Sequence, residues 1–145
     1  MVNEQPINND EKELEQTKYS IDYRQAEDIG RALNVVVAGK RCYLCQSADE
    51  ESPSKSLKFT EYIKQIVRHC RNTQDYLPPN TPLKEALFRI LLSQRNRPAT
   101  PLELSKMLGE IWATAPNPRD IAPVTIKKVL DFGGSYCIVK ADKSQ

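Results

Sequence analysis

The sequence predicts a mostly α-helical protein, in which an N-terminal helical pair precedes a C-terminal three-helix module and a short β-hairpin. Three observations lead to this class. Apolar residues recur at intervals of three and four in several segments, which is the period of a helix with one buried face. Capping residues and prolines stand where the C-terminal segments begin. A glycine pair, Gly133-Gly134, separates two apolar runs near the C-terminus, which is a hairpin signal.

Composition divides the chain into three parts. Residues 1–19 are polar and rich in Asn, Glu and Gln, so they carry too little apolar surface to offset the entropy of ordering. We predict that they form a disordered tail. Residues 20–77 are predicted to be a helical region that contains a Cys-x-x-Cys loop. After the stiff Pro78-Pro79 connector, residues 80–141 are predicted to form the C-terminal domain.

Two helices are predicted in the region 20–77. The first begins at a cap on Ser20 or Asp22 and runs to about residue 38, and its apolar face consists of Ala26, Ile29, Leu33 and Val36. The second covers about residues 57–71, and its apolar face consists of Phe59, Ile63, Ile66, Val67 and Cys70. Residues 46–56 are polar without periodicity and are predicted to be a loop. The two apolar faces need a partner, either the C-terminal domain or a second copy of the chain in a homodimer.

Three helices are predicted in the region 80–141. The first opens at Thr81-Pro82. The second opens with Thr100-Pro101-Leu102-Glu103, which combines the threonine and glutamate of a capping box with a first-turn proline. The third runs from Ile121 or Pro123 to Leu130. Residues 129–132 and 135–140 flank the glycine pair and are the predicted hairpin strands.

Charge is unevenly distributed along the chain. The net charge is +2, but residues 1–56 carry −4 and residues 81–145 carry +4. The basic half therefore coincides with the predicted three-helix domain. The first residues lack the basic and apolar regions of a signal peptide, and no apolar run approaches the roughly 18 residues of a membrane span. We expect a cytoplasmic protein with reduced thiols.

The segments TPLELSKMLG, at residues 100–109, and APVTIKKVL, at residues 122–130, resemble a winged helix-turn-helix. The resemblance is confined to the C-terminal part of the chain and identifies a superfamily rather than one family. It implies that Leu104 and Leu108 pack the second helix against the third. It also implies that Ile126 and Val129 anchor the third helix as the recognition helix.

A recognition helix implies binding to double-stranded DNA through the major groove. If the apolar side of the third helix faces the core, its polar side chains face outward, and arginines in the neighbouring loops flank them. The predicted nucleic-acid contacts are Thr125, Lys127, Lys128, Arg95, Arg97 and Arg119. The expected function is that of a DNA-binding transcription regulator or accessory protein. Two alternatives stay open: an ordinary solvated lysine pair, and an adaptor whose third helix docks on another protein.

A second candidate site is a zinc site. Cys42 and Cys45 form a Cys-x-x-Cys motif that can present two thiolates to one ion, and His69 with Cys70 completes a tetrahedral set. The neighbouring cations Lys40 and Arg41 favour the thiolate form.

Two geometric conditions apply to this zinc site. Adjacent ligands on a helix point about 100° apart, so His69 and Cys70 do not converge on one ion from a regular helix. The two N-terminal helices must also run parallel, because an antiparallel pair would separate these residues from the Cys-x-x-Cys motif. The alternatives are inert buried thiols and a redox-responsive pair, Cys42 and Cys45. With either zinc or a redox-responsive pair, a zinc- or thiol-responsive sensor is a further alternative function.

Nothing in the sequence marks a catalytic site. The chain has a single histidine and lacks a Ser-His-Asp set, a phosphate-binding glycine loop and a His-x-x-x-His pair. Cys137 falls in a predicted strand, where packing is its expected role. We therefore expect a protein that is not an enzyme.

Overall fold

The structure, a computed structural model, describes residues 9–28, 33–51, 58–115, 119–132 and 136–141. The helices are α1 (Asn9–Gln16), α2 (Tyr23–Asp28), α3 (Leu33–Ala38), α4 (Tyr43–Glu51), α5 (Phe59–Arg68), α6 (Leu83–Ser93), α7 (Pro101–Ile111) and α8 (Pro123–Asp131). The strands are β1 (Tyr19–Ile21) and β2 (Ile138–Lys140). The predicted mostly α-helical class is confirmed. Within these ranges, no helix has the length and apolar content needed to cross a bilayer.

Helix α6 lies at the centre of the core. Seven of its 11 residues are buried, because it packs against α5, α8 and β1. Val37 of α3 and Ile66 of α5 are fully buried in the same cluster as Leu87 of α6 and Leu104 of α7. The C-terminal helices therefore cover the apolar faces of the N-terminal pair. Pro78-Pro79 connects two parts of one continuous core.

The C-terminal helices begin where the sequence predicts. At the start of α7, the backbone N–H of Glu103 donates to Thr100 Oγ1 at 3.1 Å. The backbone N–H of Thr100 donates in return to Glu103 Oε1 at 3.0 Å, which completes the predicted capping box. Helix α8 has Pro123 at its first position, where a missing N–H costs nothing.

The N-terminal part differs from the prediction in three places. Helix α1 and strand β1 include part of the predicted disordered tail. The predicted helix over residues 22–38 is present as α2 and α3, with residues 29–32 outside the described part. Six of the eleven residues of the predicted loop 46–56 belong to α4, and residues 52–56 lie outside the described part. These elements are short, and contacts distant in sequence hold them: α1 packs on α7 and α8, and α3 packs on α5. Local periodicity does not report such contacts.

The sheet also differs from the predicted hairpin. Strand β2 lies within the predicted strand 135–140, but it pairs antiparallel with β1, with Tyr19 opposite Lys140. On the other side of β1, the N–H of Tyr19 donates to the carbonyl of Ala99 at 2.7 Å. Residues 129–132, the predicted first strand, end α8 instead, because buried Leu130 lies one helical turn after buried Ile126. Gly133 and Gly134 lie outside the described residues.

Tyr19 fastens this sheet to α8. Its ring is buried, and its hydroxyl donates to Asp131 Oδ1 at 2.6 Å. We expect Tyr19→Phe to lower the free energy of unfolding by about 1–2 kcal/mol, because a buried hydrogen bond to a charged acceptor is lost. Tyr43→Phe is the matched control, because it removes the same hydroxyl group from a residue that is 73% exposed. Urea denaturation of both variants measures the difference, and equal stabilities would contradict the contact.

Candidate metal centre

Two segments of the chain run side by side in the same direction toward a cluster of cysteines. Near their starts, the backbone N–H of Phe59 donates to Asn34 Oδ1 at 2.6 Å. Further along, Arg41 Nη1 donates to Gln65 Oε1 at 2.7 Å. From the first contact to the second, the residue number increases on both segments, so α3 and α5 run parallel to each other. This is the arrangement that the predicted zinc site requires.

The end of α5 removes the second geometric obstacle. The helix ends at Arg68, and His69 has φ −132° and ψ −61°, outside the helical region. A 3-10 turn, Cys70–Asn72, follows. Because the backbone changes direction between the two residues, the divergence of neighbours on a regular helix does not apply. The side chains of His69 and Cys70 reach the same cluster.

The four predicted ligands meet in one small volume. The Sγ atoms of Cys42, Cys45 and Cys70 and a ring nitrogen of His69 all lie within 4.8 Å of one another. His69 Nδ1 is 3.4 Å from the sulfur of Cys42 and 3.7 Å from that of Cys45. The sulfurs of Cys45 and Cys70 are 3.6 Å apart.

Three of the six separations, those of 3.4, 3.6 and 3.7 Å, match the edges of a tetrahedral zinc site, and the others lie within 4.8 Å. With Zn–S bonds of about 2.3 Å and Zn–N bonds of about 2.0–2.1 Å, tetrahedral angles place two sulfurs about 3.8 Å apart and a sulfur and a nitrogen about 3.6 Å apart. Three thiolates and one imidazole also form a soft donor set of the kind that selects zinc. The arrangement can therefore hold one tetrahedral ion through Cys42, Cys45, His69 and Cys70.

The cluster is electrostatically unfavourable as a set of three free thiolates. Burial raises the pKa of Cys45, and it raises the pKa of Cys70 to about 12. Burial opposes ionisation of Cys42 as well. However, hydrogen bonding with the backbone N–H of Cys45 and with the neighbouring thiols holds the pKa of Cys42 below the usual value. A divalent cation would allow all three thiolates to form, because its charge offsets their mutual repulsion.

Arg41 joins the segments that carry the ligands. Its side chain is buried, and its guanidinium lies 4.3 Å from the ring centroid of Tyr62 on α5. Its Nε donates to the carbonyl of Ala38 at 2.9 Å, and a second nitrogen forms an ion pair with Asp49 of α4. Arg41 thus connects α3, α4 and α5 beside the thiols. Lys40 was expected to favour the thiolate form together with Arg41, but it forms an ion pair with Glu85 at 3.1 Å.

Asp75 fixes the start of α4. Its Oδ2 accepts a hydrogen bond from the backbone N–H of Tyr43 at 2.8 Å, between the two cysteines of the motif. This bond holds the pKa of Asp75 below its usual value. Neither Asp75 nor the structural role of Arg41 is evident from the sequence. Tyr43 lies 32 positions from Asp75, and Gln65 lies 24 positions from Arg41, so no local spacing could have indicated these contacts.

The predicted nucleic-acid contacts are not all available to a ligand. Lys127 forms ion pairs with Glu13 at 3.0 Å and with Asp131 at 2.7 Å, and its side chain is only 17% exposed. This corrects the expectation that Lys127 faces outward without a partner. The hydroxyl of Thr125 donates to Asp120 Oδ2 at 2.8 Å.

The predicted arginine contacts and Lys128 differ in their availability. Arg119 donates from Nη1 to the carbonyl of Pro79 at 3.0 Å and also to that of Thr81, so it fastens the connector. By contrast, Lys128, Arg95 and Arg97 are exposed. Cys137 is buried in a small apolar cluster outside the thiol group, in agreement with the expected packing role.

Comparison with known proteins gives no match to any family model, and no significant match to a curated protein or a solved structure. The assignment of the thiol cluster therefore depends on its own ligands and distances.

Asp75 offers a test of how α4 positions the cluster. We expect Asp75→Ala to weaken metal affinity about tenfold, as is usual when a group that orients the ligands is removed. Asp22→Ala is the matched control, because Asp22 Oδ1 accepts the N–H of Gln25 at 2.9 Å at the start of α2, away from the cluster. Competition titration with a chromophoric chelator gives both affinities. Equal affinities for the two variants would contradict the positioning role.

Proposed function

We propose that the protein binds one zinc ion through Cys42, Cys45, His69 and Cys70 and that this ion stabilises the fold. The observation that carries the proposal is the set of ligand separations, 3.4, 3.6 and 3.7 Å, which fit a tetrahedral Cys3His site. The ion would join the start of α4 to the end of α5. The 42–45 motif and the 69–70 pair would then be held together by metal–ligand bonds.

A structural rather than catalytic role follows from the number of ligands. Four protein ligands fill a tetrahedral coordination sphere and leave no position for the water that catalytic zinc sites keep open. Three of the four ligands are also thiolates, which structural sites favour. We therefore propose that the protein acts by binding and is not an enzyme.

Metal stoichiometry tests the zinc proposal. We expect native mass spectrometry to find one zinc ion per chain, and Co²⁺ substitution to give the thiolate charge-transfer and visible bands of a tetrahedral site. Cys70→Ser should lose the ion or bind it far more weakly, because a neutral hydroxyl replaces a thiolate. Chelation of the bound ion should lower the melting temperature, since the binding free energy contributes to folding.

Cys137→Ser is the matched control, because Cys137 is buried as Cys70 is but belongs to a different cluster. This variant should keep one zinc ion per chain. A wild-type protein that carries no metal after purification under reducing conditions and binds no Co²⁺ would refute the proposal.

DNA binding is a second candidate function, and the packing of α7 on α8 favours it. Leu104, Leu108 and Ile126 are all fully buried, and Val129 is partly buried. These are the positions that the winged helix-turn-helix resemblance assigns to the contact between the two helices. The resemblance also implies a strand pair after the third helix. Strand β2 follows α8, although its partner β1 comes from the N-terminal segment.

Exposed cations near these helices would provide the contacts to phosphate. Lys128 on α8 is exposed and forms no ion pair with a described residue, unlike Lys127. Arg95 and Arg97 are exposed in the turn that precedes α7. We propose that these three residues bind the backbone of double-stranded DNA. An adaptor role is the competing interpretation, because Val124 on the same helix and Phe132 after it are exposed apolar residues.

Lys128 distinguishes these roles. We expect Lys128→Ala to weaken duplex binding and to reduce the slope of log K against log salt by about 0.9, the value for one phosphate contact. Lys58→Ala removes an exposed lysine outside the C-terminal helices and should leave the slope unchanged. Fluorescence anisotropy over a salt series measures both. If the two variants have the same isotherms as the wild type, α8 does not contact DNA through Lys128.

A further inference from the structure

Helix α1 lies against the two helices of the proposed DNA-binding motif. It packs on α7 and α8, although it comes from the other end of the chain. None of its described side chains is buried, and its one described apolar residue, Leu14, is only partly covered. An eight-residue helix is also marginal in isolation. Little apolar burial therefore holds α1 in place.

The ion pair between Glu13 and Lys127 is the main polar contact of α1 with α8 among the described residues. Glu13 Oε2 lies 3.0 Å from Lys127 Nζ. Lys127 has a second acidic partner on its own helix, Asp131, at 2.7 Å. If Glu13 moves away, Lys127 keeps its ion pair with Asp131, so the separation of α1 from α8 does not leave the lysine as an isolated charge. The contact can open at low cost.

The charge of α1 suits a competitor of phosphate. Residues 9–16 contain four acidic residues and one lysine, which gives a net charge of −3. A nucleic acid presents the same sign of charge at much higher density. The surface of α8 that receives the Glu13 carboxylate therefore has the polarity that a phosphate would need.

We propose that α1 is an intramolecular acidic cap on α8, and that double-stranded DNA displaces it to reach Lys127. This inference deepens the second candidate function and rests on it. In the closed state, Glu13 occupies Lys127. In the open state, a phosphate oxygen takes the place of the Glu13 carboxylate, while Asp131 continues to orient the lysine.

Two isosteric variants of the full chain test the cap. Glu13→Gln removes the carboxylate that contacts Lys127. Glu15→Gln makes the same change in charge on the same helix, where Glu15 is exposed and forms no ion pair with a described residue. The first readout is the rate of acylation of the Lys127 amine, measured by mass spectrometry relative to Lys128. The second is affinity for a duplex, measured by anisotropy.

We expect Glu13→Gln to raise the relative acylation rate of Lys127 and to tighten duplex binding by about two- to fivefold, the range for one partly exposed ion pair. Glu15→Gln should change neither quantity by as much. In a Lys127→Gln background, the advantage of Glu13→Gln over Glu15→Gln should disappear, because the proposed competition acts through that lysine.

The outcomes separate this inference from the function on which it rests. If acylation of Lys127 is the same in the two glutamate variants, or if both tighten DNA binding equally, the cap is refuted. If Lys127 becomes more reactive only in Glu13→Gln but no variant binds DNA at low salt, the contact is supported and the DNA-binding function is refuted, together with competition by DNA. If an acidic peptide, but not duplex DNA, binds Glu13→Gln more tightly than Glu15→Gln, the covered surface of α8 binds a protein partner. That result would also refute competition by DNA.

Discussion

The N-terminal half brings three thiols and one imidazole to within 4.8 Å of one another. Such a cluster is unfavourable as three free thiolates, because the charges repel one another at these distances. A tetrahedral cation held by these four ligands would reverse the sign of that contribution and would cross-link the start of α4 to the end of α5. The parallel path of α3 and α5 brings the cysteine motif and the histidine-cysteine pair together, so fold and site depend on the same constraint.

The elements that sequence analysis predicted best are those whose signals are local. Helix α7 has its capping threonine, first-turn proline and glutamate within four consecutive residues, Thr100 to Glu103, and the structure contains each of those contacts. The N-terminal elements have no comparable signals. Helix α1 is polar except for Leu14, and α4 begins at a bond to Asp75, 32 positions from Tyr43 in sequence. Their order comes from tertiary contacts, which composition and periodicity do not report.

The two candidate sites also differ in how well the sequence predicts them. The thiol and imidazole ligands were predictable because their chemistry restricts them to very few roles and the chain has only four cysteines and one histidine. The lysine pair on α8 was harder to interpret, because lysine serves many purposes. Lys127 is paired with Glu13, which lies in a segment predicted to be disordered, whereas its neighbour Lys128 is exposed. The surface charge of a helix therefore cannot be derived from that helix alone.

A chain of contacts connects the N-terminal segment to α8 without requiring α1. The hydroxyl of Tyr19 donates to one oxygen of Asp131 at 2.6 Å, and the other oxygen accepts from Lys127 at 2.7 Å. Strand β1 is therefore attached to α8 through a buried aromatic ring and a shared carboxylate, while α1 adds one partly exposed ion pair. Because these two attachments differ so much in burial, the proposed separation of α1 from α8 would leave β1 in its place in the sheet. The fold thus allows the charge on α8 to change partner without disturbing the core.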